Sequence, residues 1–481
     1  MRFTAGPWRK REFRTCIWNS RKRCGSSTRP ARRWRPSSNR CCSTRSAPMA
    51  KSAEANKTDY QGQMHLLQKE LMSNYFDQMT RAAEHGEGQA AYMLISGNPV
   101  ELMLAFDLIP VYPEINALQL AVKKVALPFI QKAEEIGYSM DNCAYVKADV
   151  GLFLGDRKTP FATIPLPALI LCNYVGCNVY LQWFEHLAEY CDGTLYNLDI
   201  PFMRDPSGKP TPEDVTYVVR QLDEIIEICE KITGKKLDYA KLKRIVALSG
   251  ETGEIWARIK ALTKNVPSPF DSYFDSVTMM APLYCLRGTE GGLRFFETAL
   301  KEMEEKVAMG QGPLPEERFR FVIEGPPPWP YLRTFRDLFA KWGAVAVAST
   351  YSTVGGLWEF GFKHDANRPL ESIASHMLEW NLTNRNFLQR YEQIRRYVEE
   401  WSADALVIHS VKSCRLFSAG QGDMREYFTK ELGIPTLLIE SDIEDPRYFS
   451  EAQMKNRIDA FFESLEHKKI VRGATAAGGA K

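Results

Sequence analysis

Residues 403–442 read ADALVIHSVKSCRLFSAGQGDMREYFTKELGIPTLLIESD. An apolar run through Ile408 ends in a polar loop carrying Cys414. An amphipathic stretch follows, stops at Gly433, and gives way to a second apolar run. This pattern predicts a strand, a loop, a helix and a parallel strand. Open α/β sheets place ligands in loops at the carboxyl ends of strands, ahead of a helix N-terminus. The helix dipole and the neighbouring Lys412 and Arg415 favour a thiolate at Cys414. A lone cysteine there reads more readily as a small buried hydrophobe. Two further cysteines in similar settings tip the reading toward chemistry.

Working outward, the same alternation appears twice. In the first half, AYMLISG, IPVYPEI, PLPALILC and DGTLYNLDIP read as strands separated by helices. One long helix is expected to run from the second of these to about Gly137. In the second half, RFRFVIEG and AVAVAST precede the two strands of the 403–442 unit. Strands alternating with helices imply parallel, doubly wound sheets. The fold class is therefore α/β, with two flavodoxin- or Rossmann-like domains. The expected boundaries are 49–90 for an N-terminal helical segment and 91–205 for the first α/β domain. A helical connection fills 206–315, the second α/β domain 316–468, and a disordered tail 469–481. No repeat is visible between the halves.

The net charge of +3 averages two unlike parts. Residues 1–48 carry 14 Lys and Arg against one acid, Glu12, which leaves 48 basic and 58 acidic residues in the rest, a balance of −10. An acidic body argues against nucleic acid as a partner. The basic segment has neither helical nor strand period. It reads as a transit peptide, a basic arm, or a non-native or disordered extension ahead of a true start at Met49, and the last is favoured. No apolar run is long enough to span a membrane. Four of the eleven cysteines (Cys16, Cys24, Cys41, Cys42) lie in this segment, and the other seven are scattered. Scattered cysteines without a secretory signal point to a reducing, cytoplasmic setting and to packing, metal or redox roles.

No P-loop, complete dinucleotide fingerprint or C-x-x-C occurs. Cys143, Cys177 and Cys414 each sit in a loop just before a helix, the first two in one half and the third in the other. A cleft between the halves can bring them together. Three thiolates suit a [4Fe–4S] cube with one iron left free of protein sulfur. Cys172 competes with Cys177 as a ligand, whereas Cys191, Cys229 and Cys285 occupy apolar positions and read as packing. Tyr145, Trp183, Trp329, Trp358 and His409 are weaker candidates for a pocket wall, with core packing the alternative for each. His409, at a strand end, is either a proton donor or a satisfied structural histidine. Gly97–Pro99 opens a helix and is either an anion contact for coenzyme A or a cap by Asn98.

NCAYVKADVG, CNYVGCNVYLQWFE and the segment from His409 to Lys469 resemble the 2-hydroxyacyl-CoA dehydratase D-component (2-hydroxyglutaryl-CoA dehydratase) family, and most of all its benzoyl-CoA reductase branch. The resemblance runs from about Met49 to Lys469. Its cysteine pattern falls on Cys143, Cys177 and Cys414. It implies a [4Fe–4S] cluster on those residues and a homologous cluster-bearing partner subunit. Two further activator-like subunits would hydrolyse ATP with Mg, so this chain would not. It also implies reduction of the ring of benzoyl-CoA to a cyclic diene thioester at the expense of reduced ferredoxin. A radical 2-hydroxyacyl-CoA dehydratase is the alternative within the family. A non-catalytic electron-transfer or assembly subunit is the alternative outside it.

Overall fold

The computed structural model describes residues 62–174, 177–203, 208–353, 360–379 and 384–478, without side chains for Tyr174 or from 471 onward. The basic segment 1–48 and the expected start at Met49 lie outside them.

Two four-stranded parallel sheets organise the chain. The first contains β1 (Ala90–Met93), β2 (Ile109–Val111), β3 (Pro167–Tyr174) and β4 (Thr194–Asp199), in the order β2-β1-β3-β4. The second contains β5 (Phe319–Glu324), β6 (Ala344–Ser349), β7 (Ala405–Val411) and β8 (Thr436–Ser441), in the order β6-β5-β7-β8. The two orders are the same topology. A repeat invisible in the residues is therefore present in the connectivity. Every residue of β1, β5, β6 and β7 is buried. Helices cover both faces of such sheets, so their strands read as continuous apolar runs rather than alternating ones.

Helices Pro212–Thr233, Tyr239–Leu262, Ser276–Cys285 and Glu290–Ala308 connect the lobes. The N-terminal helix Gln63–His85 packs on the last two of these. One apolar core runs through both lobes, from Leu169 and Ile170 of β3 to Phe321 and Ile323 of β5. A second, around Trp256, Phe295 and Phe296, holds the connecting helices together.

Local signals differ from expectation in three places. The stretch read as one helix to Gly137 is two, Pro113–Val122 and Ala126–Glu135, with Lys124 at a left-handed φ of 60° between them. Pro128 is the reason, because a proline is tolerated in the first turn of a helix and clashes deeper inside one. The segment after Cys414 is broken into Arg415–Ser418 and Gln421–Glu426 at Gly420, whose φ is 71°. The tail read as disordered from 469 is helical through Gly478. Extending a docked helix is cheaper than nucleating one, and its alanines favour continuation. No helix among the described residues is long and apolar enough to cross a membrane.

Candidate metal centre

Cys177 lies three residues beyond the last residue of β3, and Cys414 three beyond the last of β7. Those are the same strand of the repeated topology. Each cysteine is the cap residue of the helix that follows, Asn178–Ala188 and Arg415–Ser418 respectively. Cys143 likewise caps Ala144–Phe153. All three half-buried cysteines line one cavity of about 460 Å³ between the lobes, together with Asp141, Asn142, Gln182, Ser413 and Arg415. The strand ends at the switch point of each sheet, where a crevice opens, thus face a common space.

Burial raises the pKa of each of these thiols. Cys143 is pushed well above its ordinary value, and the nearby sulfurs of Cys414 and Cys177 add to the effect. Cys414 is pushed up to about 12 by burial, and Cys177 is raised for the same reason. Backbone N–H groups oppose the shift: Tyr145 and Val146 at Cys143, Val179 and Tyr180 at Cys177, Phe417 at Cys414. None closes a full cap hydrogen bond. The thiolate expected at Cys414 is therefore not favoured in the free protein. Its helix has only four residues, and Lys412 is spent over the Tyr448 ring, 4.3 Å from its centroid. Desolvation outweighs what dipole remains.

The loops are tied across the lobes. The Ala144 N–H donates to Ser413 Oγ at 3.2 Å, and the Ser413 N–H donates to Asp442 Oδ2 at 2.9 Å. Lys147, fully buried one turn past Cys143, donates to Glu134 Oε1 at 3.0 Å and to the Met140 carbonyl at 2.7 Å. Arg447 of the second lobe closes the network, reaching Glu134 Oε1 and Asp445 Oδ2 at 2.6 Å each.

Two candidates stand apart, for one reason. Cys172 and His409 each precede their capping cysteine by five residues, so they occupy the same place in β3 and β7, inside the sheet. Cys172 is fully buried, its pKa raised to about 12 by that burial, and it does not line the cavity. His409 is fully buried, with Nδ1 2.5 Å from the Pro326 carbonyl and Nε2 2.6 Å from Ser441 Oγ. Burial lowers its pKa to about 4, so it is neutral and structurally satisfied. Both ring nitrogens are thus paired inside the sheet, and His409 does not line the cavity, which favours the structural role over that of proton donor. Asn98 stands one residue ahead of the cap residue Pro99, and its Oδ1 accepts from Val100 N at 3.1 Å. Trp183 is core, donating to Asp149 Oδ2 at 3.1 Å, and Trp358 lies outside the described residues.

Tyr145 and Trp329 meet, the indole N–H donating to Tyr145 Oη. Trp329 and Tyr351 line a second, mostly apolar cavity of about 420 Å³, with Ile115, Phe274, Met280 and Tyr284, and with Arg333 and Arg336 also on its wall. Tyr351 is also hydrogen-bonded to Tyr145, and its pKa is raised by burial and, in part, by the nearby Cys414 sulfur. Two buried carboxyls stand near them. Burial raises Glu114 to about 7, although it accepts from Ile95 N at 2.8 Å, and burial raises Asp149 to about 7 as well. Sequence reasoning missed Glu114, Tyr351 and this cavity, because nothing local in Tyr351 or in PEINAL marks a wall that only the packed lobes create.

Among the described residues, no three His, Cys, Asp or Glu side chains come close enough to hold a single metal ion.

A family model described as 2-hydroxyglutaryl-CoA dehydratase, D-component, matches residues 96–465. A benzoyl-CoA reductase subunit of Thauera aromatica is 37% identical over 427 residues, 87% of this chain and 98% of that protein. The (R)-2-hydroxyisocaproyl-CoA dehydratase alpha subunit of Clostridioides difficile is 30% identical, across 84% of this chain and 97% of that protein. The (R)-2-hydroxyglutaryl-CoA dehydratase alpha subunit of Acidaminococcus fermentans is 25% identical, across 84% of this chain and 97% of that protein. The matched span takes in β2 to β4 of the first sheet, the whole second sheet and all three cavity cysteines, and the chain belongs to the 2-hydroxyglutaryl-CoA dehydratase D-component family.

Proposed function

We propose that this chain is the iron–sulfur subunit of an ATP- and ferredoxin-dependent benzoyl-CoA reductase, with Cys143, Cys177 and Cys414 holding a [4Fe–4S] cluster. The observation that carries the reading is the convergence of three helix-capping cysteines on one cavity, beside an apolar, aromatic-walled one. The donor set fits the group. Three soft thiols surround the space, backbone N–H groups favour their ionised form, and among the described residues no single-ion site competes for them. A cube places each thiolate on its own iron, so its ligands need not converge on one atom. Because the thiols are protonated when free, loading would release protons.

When bound, such a cluster supplies single electrons at low potential. This chain's residues do the rest. The apolar cavity takes the aryl thioester and excludes water, with Tyr145, Trp329 and Tyr351 between ring and thiols. Arg333 and Arg336 offer charge to the phosphates of coenzyme A. Glu114, whose carboxyl burial raises to about 7, can take up or release a proton near neutral pH within the same buried neighbourhood. ATP hydrolysis with Mg belongs to partner subunits in this reading, as do a homologous second cluster-bearing subunit and delivery of electrons from ferredoxin. The 30% identity to a dehydratase alpha subunit supports a second reading, elimination of water from a 2-hydroxyacyl-CoA.

The test is anaerobic purification with the partner subunits, iron and sulfide analysis, and assay with benzoyl-CoA, reduced ferredoxin and ATP against a 2-hydroxyacyl-CoA. Alanine at position 143, 177 or 414 should each remove the iron, and Cys172→Ala should keep it. Iron retained in all three single variants sinks the ligand assignment. Turnover of the 2-hydroxyacyl-CoA alone replaces the reductase with the dehydratase. An iron-free, colourless complex leaves a non-catalytic assembly subunit.

A further inference from the structure

The helix Phe387–Glu400 carries a buried cation toward the Cys414 side of the cavity. It is started by a capping box in which Asn386 Oδ1 accepts from Gln389 N at 3.0 Å and Gln389 Oε1 accepts from Asn386 N at 3.1 Å. One turn on, Arg390 is 6% exposed and donates through Nη2 to Glu324 Oε1. Glu324 is the last residue of β5, fully buried, and accepts a second hydrogen bond from Thr350 Oγ1. β5 lies beside β7 at the switch point of the second sheet. The guanidinium covers the Phe417 ring, 5.1 Å from its centroid, and Phe417 is the residue whose backbone N–H faces the Cys414 sulfur. Arg390 Nε has no hydrogen-bond partner among the described residues. Burial lowers the guanidinium pKa only to about 10, which leaves it charged at neutral pH.

Stability is a poor account of this pair. Removing two charges from water costs about as much as their attraction returns, and an apolar pair of similar volume often does as well. A fixed cation in a dry site has a different use. It favours whichever state of its neighbour is more negative, and burial keeps its field from being screened. We propose that the Glu324–Arg390 pair sets the reduction potential of the cluster at Cys414. Arg390 stabilises the reduced, more negative state, and Glu324 both positions that cation and offsets its field. Neither residue is a ligand, so both are tuning residues acting through space. The inference rests on the cluster assignment above.

The test is an EPR-monitored redox titration of the anaerobically purified complex. Arg390→Met should shift the midpoint to more negative values and Glu324→Gln to more positive ones. The double variant should return toward the parent, and Arg390→Lys, which keeps the charge, should stay near it. Loosened packing would instead admit water in every variant and move both single variants the same way, so shifts of one sign overturn the proposal. Unmoved midpoints overturn it too, with the cluster itself intact. Absence of iron from the unsubstituted complex removes the cluster assignment and this inference together. Should Arg390→Met fail to hold iron, Glu324→Gln and Arg390→Lys carry the test alone, as a positive shift and no shift.

Discussion

Glu134→Gln probes how the two lobes are locked around the cysteines. The carboxylate is the shared partner of Lys147, whose side chain is fully buried, and of Arg447 on the second lobe. Breaking a buried pair by removing one partner costs roughly 3–5 kcal/mol. That range is an upper bound, because the Glu134 side chain is 16% exposed and Lys147 keeps the Met140 carbonyl at 2.7 Å. The glutamine oxygen also still accepts. A loss of about 2 kcal/mol remains for the Lys147 side, and the Arg447 contact, 27% exposed on the arginine, adds under about 1 kcal/mol. Arg447 and Lys147 hold the Glu134 carboxyl below its usual value. The contribution is therefore present above the ordinary glutamate range and fades as pH falls through the lowered folded-state pKa. Urea unfolding at neutral pH, with an unchanged m-value, reads the loss. The double variant Glu134→Gln/Lys147→Met removes both charges and should recover most of it. Losses under about 0.5 kcal/mol in both single variants would refute a low-dielectric pair. So would a double variant no more stable than the worse single one.

Three further outcomes follow from the same structure. Glu114→Gln should gain stability relative to the parent as pH rises from about 4.5 to 7, up to about 3 kcal/mol at 1.36 kcal/mol per unit. The sign follows from a raised carboxyl pKa, which favours the folded state below the unfolded value and penalises it above; a pH-independent difference in unfolding free energy would contradict it. Gly151→Ala places a methyl against the Phe129 carbonyl, where the Cys143 helix meets Ala126–Glu135, and should cost about 1–3 kcal/mol by thermal unfolding, with no change in melting contradicting the close approach. Under the proposed reductase function, Trp329→Ala should raise the KM for benzoyl-CoA by up to roughly tenfold while leaving the iron content intact, as an aromatic wall contact is worth about 0.5–1.5 kcal/mol, and an unchanged KM would move the ring elsewhere.

Strand runs, caps and the lateness of Cys414 in the chain are local features, and they were legible. Period and punctuation marked every strand of both sheets. The three cysteines stood out because each sits where a loop meets a helix, a property of a few neighbouring residues. Pro128 was there to be read as well, and would have split the helix running to Gly137.

The residues alone left Cys172 open against Cys177, and His409 open between proton donor and structural role. Depth in a strand bears on both, since Cys172 and His409 lie inside their sheets and away from the cavity that Cys177 lines. The two side chains occupy one position of a repeated topology, and that repeat lives in the order of strands rather than in their residues. Pairing distant strands is a property of the whole chain, because many sequences satisfy the same parallel ladder. The charges met in the same way. Arg447 lies far from Lys147 and Glu134 in the sequence, and packing joins them and buries one of them. Nothing local pairs Arg390 with Glu324, and only the packed lobe buries them together. Sequence determined where the strands form and which cysteines meet a helix start. Tertiary structure decided which of those side chains share a dry space, since burial and proximity depend on contacts between residues hundreds of positions apart.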